Sequence, residues 1–268
     1  VAAALLIAGL ATGFTPQKQR AAAEELGEAE ISDVLPIEDL QAWMSEAGVP
    51  GVSISLIKDF EIHGSLVFGV ADVESGRLVT TDTLFQAASI SKPVMAVASA
   101  VLAGQEQLDL DADVTRSLRS WSLPRLAENA GRPITPRMLL SHTSGLADGL
   151  GFPGYRPSEP LPDALSILKG TTPANTPAIA ARFAPMTQSR YSGGGSVLMQ
   201  LLLTDVTGQS FPELMRLNLL EPLGMRRSFY QQPLMSTMSD DAALAHDVHG
   251  KRFSIPWKVY PELAAAGL

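Results

Sequence analysis

Phe85-Gln86-Ala87-Ala88-Ser89-Ile90-Ser91-Lys92 is the stretch on which the reading of this chain turns. It reads as the end of a polar connection running into a helix. That helix continues Pro93-Val94-Met95-Ala96-Val97-Ala98-Ser99-Ala100-Val101-Leu102-Ala103 and is apolar nearly all round, the pattern of a helix buried on every side. Ser89 then falls at or just before the helix N-terminus, with Lys92 one turn further on. Positions three apart share a helix face, so the ammonium can reach the hydroxyl. The helix start adds free N–H groups and a positive dipole end. A serine hydroxyl becomes a useful nucleophile only when one group takes its proton and another holds the oxyanion that follows. This placement offers a start on both.

The pattern Ser-x-x-Lys occurs three times, and the other two copies read differently. Ser55-Leu56-Ile57-Lys58 lies in an alternating segment expected to be a strand, where positions three apart point to opposite faces. Ser166-Ile167-Leu168-Lys169 closes a short amphipathic helix before Gly170, so Lys169 complements the C-terminal end of the dipole.

Bulk properties exclude several classes. The 268 residues suffice for one or two domains with a sizeable core. The net charge of -8 argues against a nucleic-acid partner. With no Cys there is no disulfide, thiol nucleophile or Cys-based zinc site. The apolar run over residues 1–11 resembles the core of a secretory signal peptide and is too short for a stable membrane span. It implies export to a periplasmic or extracellular compartment.

Other motifs carry less. His142 suggests a Ser-His dyad, but it reads better as a histidine satisfied by backbone at a helix end. His246-Asp247-Val248-His249 offers two imidazoles where a catalytic metal needs three protein ligands, so no metal is expected. Leu108-Asp109-Leu110-Asp111-Ala112-Asp113 lacks the glycine and closing glutamate of a calcium loop and reads as a turn with solvated acids. No Gly-x-Ser-x-Gly elbow occurs, and Gly193-Gly194-Gly195 lacks the Lys of a phosphate loop. No cofactor is expected. The glycines are read as letting backbone approach closely beside Tyr191.

Four stretches, in order, carry a family resemblance. They are Phe85 to Lys92, then Ile134-Thr135-Pro136-Arg137-Met138-Leu139-Leu140-Ser141-His142-Thr143-Ser144-Gly145-Leu146, then Arg190-Tyr191-Ser192-Gly193-Gly194-Gly195, and last Tyr260-Pro261-Glu262-Leu263-Ala264-Ala265-Ala266-Gly267-Leu268. Together they resemble the serine hydrolases that include class C β-lactamases, D-alanyl peptidases and β-lactamase-like esterases. The resemblance implies an α+β fold: an antiparallel sheet flanked by helices, plus a mainly helical region, with the site between them. The expected organisation is a leader and linker over residues 1–30, the start of the sheet domain over 31–84, the helical region over 85–235, and an irregular return segment over 236–268.

The resemblance also implies roles. Ser89 is the acyl-accepting nucleophile, through an acyl-enzyme. An ammonium at Lys92 favours a phenolate at Tyr191, which takes the serine proton and later passes it on. The oxyanion hole uses the backbone N–H of Ser89. Many relatives have Tyr-x-Asn, with the Asn binding the substrate amide; here that substrate-binding position is Gly193. Its lack of a side chain points toward small-molecule esters. The alternatives are a β-lactam or a D-amino-acid peptide, for a β-lactamase or a D-alanyl carboxypeptidase or aminopeptidase. A reading from another class is a non-catalytic ligand-binding relative or an inactive fragment. In the family a Lys-Thr-Gly or His-x-Gly strand and the second oxyanion donor come after the Ala-Ala-Gly-Leu stretch. The 268 residues alone are therefore expected to be poorly soluble and nearly inactive.

Overall fold

The computed structural model describes residues 37–124, 131–146 and 151–268. The leader and linker expected over residues 1–30 lie outside them. The fold is α+β, and the chain divides into two compact units: Val1–Thr83 with Asp241–Pro256, and Leu84–Asp240 with Trp257–Leu268.

In the first unit, helix α1 (Ile37–Glu46) precedes strands β1 (Gly51–Lys58), β2 (Glu61–Asp72) and the short β3 (Arg77–Leu78). They form an antiparallel sheet in the order β1-β2-β3. The period of two decides which residues are buried. Leu66 and Phe68 of β2 meet Val52, Ile54 and Leu56 of β1 on one face, beneath Leu40 and Met44 of α1. Val67 and Ala71 point the other way and pack with Val79 and Ala243. A register shift after Leu56 ends this alternation and leaves Ile57 exposed. The β1–β2 turn is Asp59-Phe60. Both residues have positive φ, +52° and +64°, the left-handed geometry that matches the twist of a hairpin.

His246 also lies in this unit. Its Nε2 accepts the Val73 N–H at 3.4 Å, a backbone-bridging role.

The second unit holds helices α2 (Ser91–Gly104), α3 (Pro136–Leu140), α4 (Ala164–Lys169), α5 (Gly193–Thr207), α6 (Phe211–Met215) and α7 (Leu263–Ala266). A 3-10 turn, Ala88–Ile90, leads into α2. Helix α5 is the centre: every residue from Gly193 to Leu203 is buried, and α3, α4, α6 and α7 all pack against it. The glycines read in sequence as a place for close backbone approach open this helix instead. Ser192 is its N-cap and accepts the Gly195 N–H at 2.8 Å; Gly208 ends it in the left-handed conformation. The three glycines are thus the first helical turn.

Helix α2 corrects a second expectation. It is not buried all round. Lys92, Met95, Ala98, Ser99 and Leu102 form a buried stripe at helical spacing, while Pro93, Val97 and Ala100 face solvent. Apolar content without a polar face does not distinguish a stripe from full burial when many of the residues are alanine.

The remaining caps follow their residue chemistry. Thr135 caps α3 with Pro136 in the first turn, and Asp163 caps α4, which Gly170 closes at φ +61°. The connections over 151–163 and 170–192 carry no helix. Pro153, Pro157, Pro160, Pro162, Pro173, Pro177 and Pro185 remove donors there.

Gly145 follows α3 at φ +84°, and a Cβ on it would lie 2.2 Å from the carbonyl oxygen of Phe183. Gly145→Ala should therefore lower stability by at least about 1–2 kcal/mol, from the left-handed backbone alone and more from the clash. Chemical denaturation of the two proteins measures this, and equal midpoints would refute it.

Candidate active site

The second unit brings three side chains from two distant parts of the sequence onto one oxygen. Ser89 sits in the 3-10 turn before α2, and Lys92 in the first turn of the helix. Tyr191 immediately precedes the cap of α5. The Tyr191 hydroxyl donates to Ser89 Oγ at 2.6 Å, and Lys92 Nζ donates to the same oxygen at 3.2 Å. Lys92 Nζ also lies 4.7 Å from the centroid of the Tyr191 ring, within cation–π range. Lys92 is only 9 % exposed, whereas Tyr191 is 51 % exposed. The site is therefore anchored on its lysine side and open on its tyrosine side.

The backbone before Ser89 is in a special conformation. Ala88 has φ +47°, the left-handed region that a residue with a Cβ enters at a cost of about 1–2 kcal/mol. Ser91 Oγ donates to the Ala88 carbonyl at 2.5 Å and holds the turn. The buried Tyr230 hydroxyl donates to the Ser91 carbonyl at 2.7 Å, and burial pushes that phenol well above the ordinary range. Alanine at 88 gives no sequence signal of this geometry, as glycine would.

The segment 261–268 closes the lysine side. Lys92 Nζ donates to the Ala265 carbonyl at 2.8 Å. The Leu268 N–H donates to Ser91 Oγ at 3.0 Å, and the Ala87 N–H to the Leu268 carbonyl at 2.9 Å. Gln200, buried on α5, fixes the same segment: its Oε1 accepts the Ala264 N–H at 3.0 Å, and its Nε2 donates to the Pro261 carbonyl. Gln200 reads in sequence as one polar residue in an apolar helix, and only its distant partner gives it this task.

His142 joins the tyrosine side. Its Nδ1 accepts the Ser192 N–H at 3.2 Å, and its ring centroid is 4.8 Å from that of Tyr191. The expectation of a histidine satisfied by backbone is met, but the backbone belongs to a segment 50 positions away. Gly193, expected to bind substrate, is buried as the first residue of α5. Ser55 and Ser166 are elsewhere: Ser55 pairs with Ser65 across the hairpin, and the Ser166 N–H is capped by Asp163. Among the described residues no group of three or more His, Asp or Glu is placed to hold a metal.

With this geometry in view, comparison with known proteins is informative. The family model described as Beta-lactamase matches residues 24–268. The chain belongs to the beta-lactamase family. Esterase EstB of Burkholderia gladioli is 34 % identical to this family member over 175 residues, covering 61 % of this chain and 44 % of the esterase. Penicillin-binding protein 4 of Amycolatopsis lactamdurans is 30 % identical over 194 residues, covering 71 % of this chain and 47 % of that protein. The chain thus spans about half the length of these curated relatives. Among solved structures, EstCE1, a hydrolase with promiscuous acyltransferase activity, superposes with a TM-score of 0.70 at 23 % identity, over 89 % of this chain and 69 % of that one. That likeness is one of fold.

Glu262 in this beta-lactamase-family site is fully buried, at the N-cap of α7, and among the described residues neither carboxylate oxygen makes a hydrogen bond of ordinary geometry. Burial pushes its carboxyl up to about 7, and its own backbone N–H offsets only part of that. The unfolded value is about 4.3. Between these values the folded chain holds a proton that the unfolded chain has lost, so this contribution to stability is present in full below about pH 4.3 and is lost as pH rises to about 7. The loss is on the order of 3–4 kcal/mol. Glu262→Gln should flatten that decline, as measured by denaturation at pH 5 and pH 8. Parallel profiles for the two proteins would show that Glu262 is not held protonated.

Proposed function

We propose that this chain carries the catalytic machinery of a serine hydrolase that works through an acyl-enzyme, with Ser89 as nucleophile, Tyr191 as general base and acid, and Lys92 as the cation that supports both. The observation that carries this reading is the convergence of the Tyr191 hydroxyl and Lys92 Nζ on Ser89 Oγ, at 2.6 and 3.2 Å.

Ser89 Oγ attacks the substrate acyl carbon, and its proton passes across the 2.6 Å contact to the Tyr191 oxygen, which acts as the base in the role the family resemblance implies. Lys92, donating to Ser89 Oγ at 3.2 Å with its Nζ 4.7 Å from the Tyr191 ring centroid, offsets negative charge that develops at the site. The oxyanion of the tetrahedral intermediate is held by the Ser89 N–H, in the reading drawn from the family resemblance. The intermediate collapses, Tyr191 returns the proton to the leaving oxygen, and the acyl group stays on Ser89. Water then gives a proton to Tyr191 and attacks the acyl carbon; as the bond from that carbon to Ser89 Oγ breaks, Tyr191 passes the proton to Ser89 Oγ and the acid leaves.

Small-molecule esters are the favoured substrates. Gly193 carries no side chain to hold a substrate amide, and Esterase EstB shares 34 % identity with this chain over its matched segment. A second reading, hydrolysis of a β-lactam or a D-amino-acid peptide, is favoured by the penicillin-binding relative. The apolar run at residues 1–11 supports export as part of the same proposal.

Kinetics separate these readings. In the full-length protein that carries this segment, Tyr191→Phe should lower kcat for p-nitrophenyl acetate about 10²–10⁴-fold with a small change in KM, the range for loss of a general base. Ser89→Ala should reduce turnover to background. Wild-type rates retained in either variant would refute the assigned roles. Turnover of p-nitrophenyl acetate should also exceed that of nitrocefin; the reverse order would favour the β-lactam reading.

A further inference from the structure

We propose that His142, as the neutral Nε2–H tautomer, is the positioning residue that holds the Tyr191 hydroxyl on Ser89. This inference rests on the role given to Tyr191 above.

Tyr191 is half exposed and lies in an irregular connection, so helix or sheet bonding does not fix it. His142 grips the chain on both sides of it. The His142 carbonyl accepts the Arg190 N–H at 2.8 Å, and Nδ1 accepts the Ser192 N–H at 3.2 Å. The imidazole lies against the phenol ring between these two bonds, with the planes tilted by 41°. Backbone and side chain of one residue thus bracket Tyr191 at the positions before and after it.

The tautomer follows from the partner. A backbone N–H can only donate, so the nitrogen facing Ser192 must present a lone pair, and the ring proton sits on Nε2. The grip also requires an unusual backbone. His142 has φ +57°, at the end of α3, and this orientation aims both its carbonyl and its Nδ1 at the 190–192 segment. Asparagine tolerates that conformation and can place an amide oxygen near the Nδ1 position. Glycine tolerates it and offers no acceptor. Glutamine places its oxygen one carbon too far.

The three variants therefore separate strain from positioning. His142→Gly and His142→Gln should lower kcat for p-nitrophenyl acetate about 10–100-fold with KM little changed, in line with a displacement of about 1 Å at a reacting group. His142→Asn should stay within about fivefold of wild type. In a Tyr191→Phe background His142→Gly should have almost no further effect, because the histidine acts through the tyrosine. Equal losses in His142→Gly and His142→Asn, or additive losses in the double variant, would overturn the proposal. A fast Tyr191→Phe single variant would instead overturn the role of Tyr191.

A readout independent of turnover is nitrogen NMR of the imidazole with amide exchange. The expected result is a proton on Nε2 alone, and a Ser192 amide that exchanges at least about tenfold faster in His142→Gly and is protected again in His142→Asn. A proton on Nδ1, or unchanged exchange at Ser192, would overturn the proposal.

Discussion

The buried ammonium of Lys92 is the constraint from which the arrangement of this site follows. A cation removed from water is costly unless other groups replace its hydration. Lys92 has three such partners: Ser89 Oγ one helical turn before it, the Ala265 carbonyl far along the chain, and the face of Tyr191. Each comes from a different segment. Satisfying one side chain therefore draws the start of α2, the segment around α7 and the entry to α5 to a single point. The same contacts that solvate the cation set the geometry that the proposed chemistry uses.

Helix α5 makes that point rigid. It is buried from its first residue, and Ser192 caps it immediately after Tyr191. The cap fixes the backbone immediately after Tyr191, while the half-exposed side chain itself is left to its contacts with Ser89, Lys92 and His142. On the other side, Gln200 from the same helix pins the segment that carries Ala265. Both flanks of the Lys92 pocket thus refer back to one element. The opening turn of α5 is glycine, and a Cβ on Gly195 would sit 3.1 Å from the Ser192 Oγ that caps the helix.

How much of this was legible in the sequence depends on whether the signal is local. The β1–β2 hairpin follows from period-two alternation, the α3 cap from Thr135-Pro136, and the ends of α4 and α5 from Gly170 and Gly208. The convergence of Ser89, Lys92 and Tyr191 was legible because helix spacing makes the first pair and the family resemblance supplies the third. What was hidden has a physical reason in each case. Glycine is a poor helix former, so Gly193 to Gly195 reads as loop although burial against the core makes it helix. Ala88 and the pair Asp59-Phe60 adopt positive φ without a glycine to announce it. His142 and Gln200 owe their roles to partners tens of residues away, which no spacing rule detects.

Covalent trapping shows which serine is the nucleophile. The full chain is treated with a fluorophosphonate probe, and the adduct is mapped by mass spectrometry of its peptides. The account predicts one adduct, on the peptide containing Ser89, absent from Ser89→Ala and retained in Ser55→Ala and Ser166→Ala. An adduct that persists in Ser89→Ala, or that maps to another serine, would contradict it.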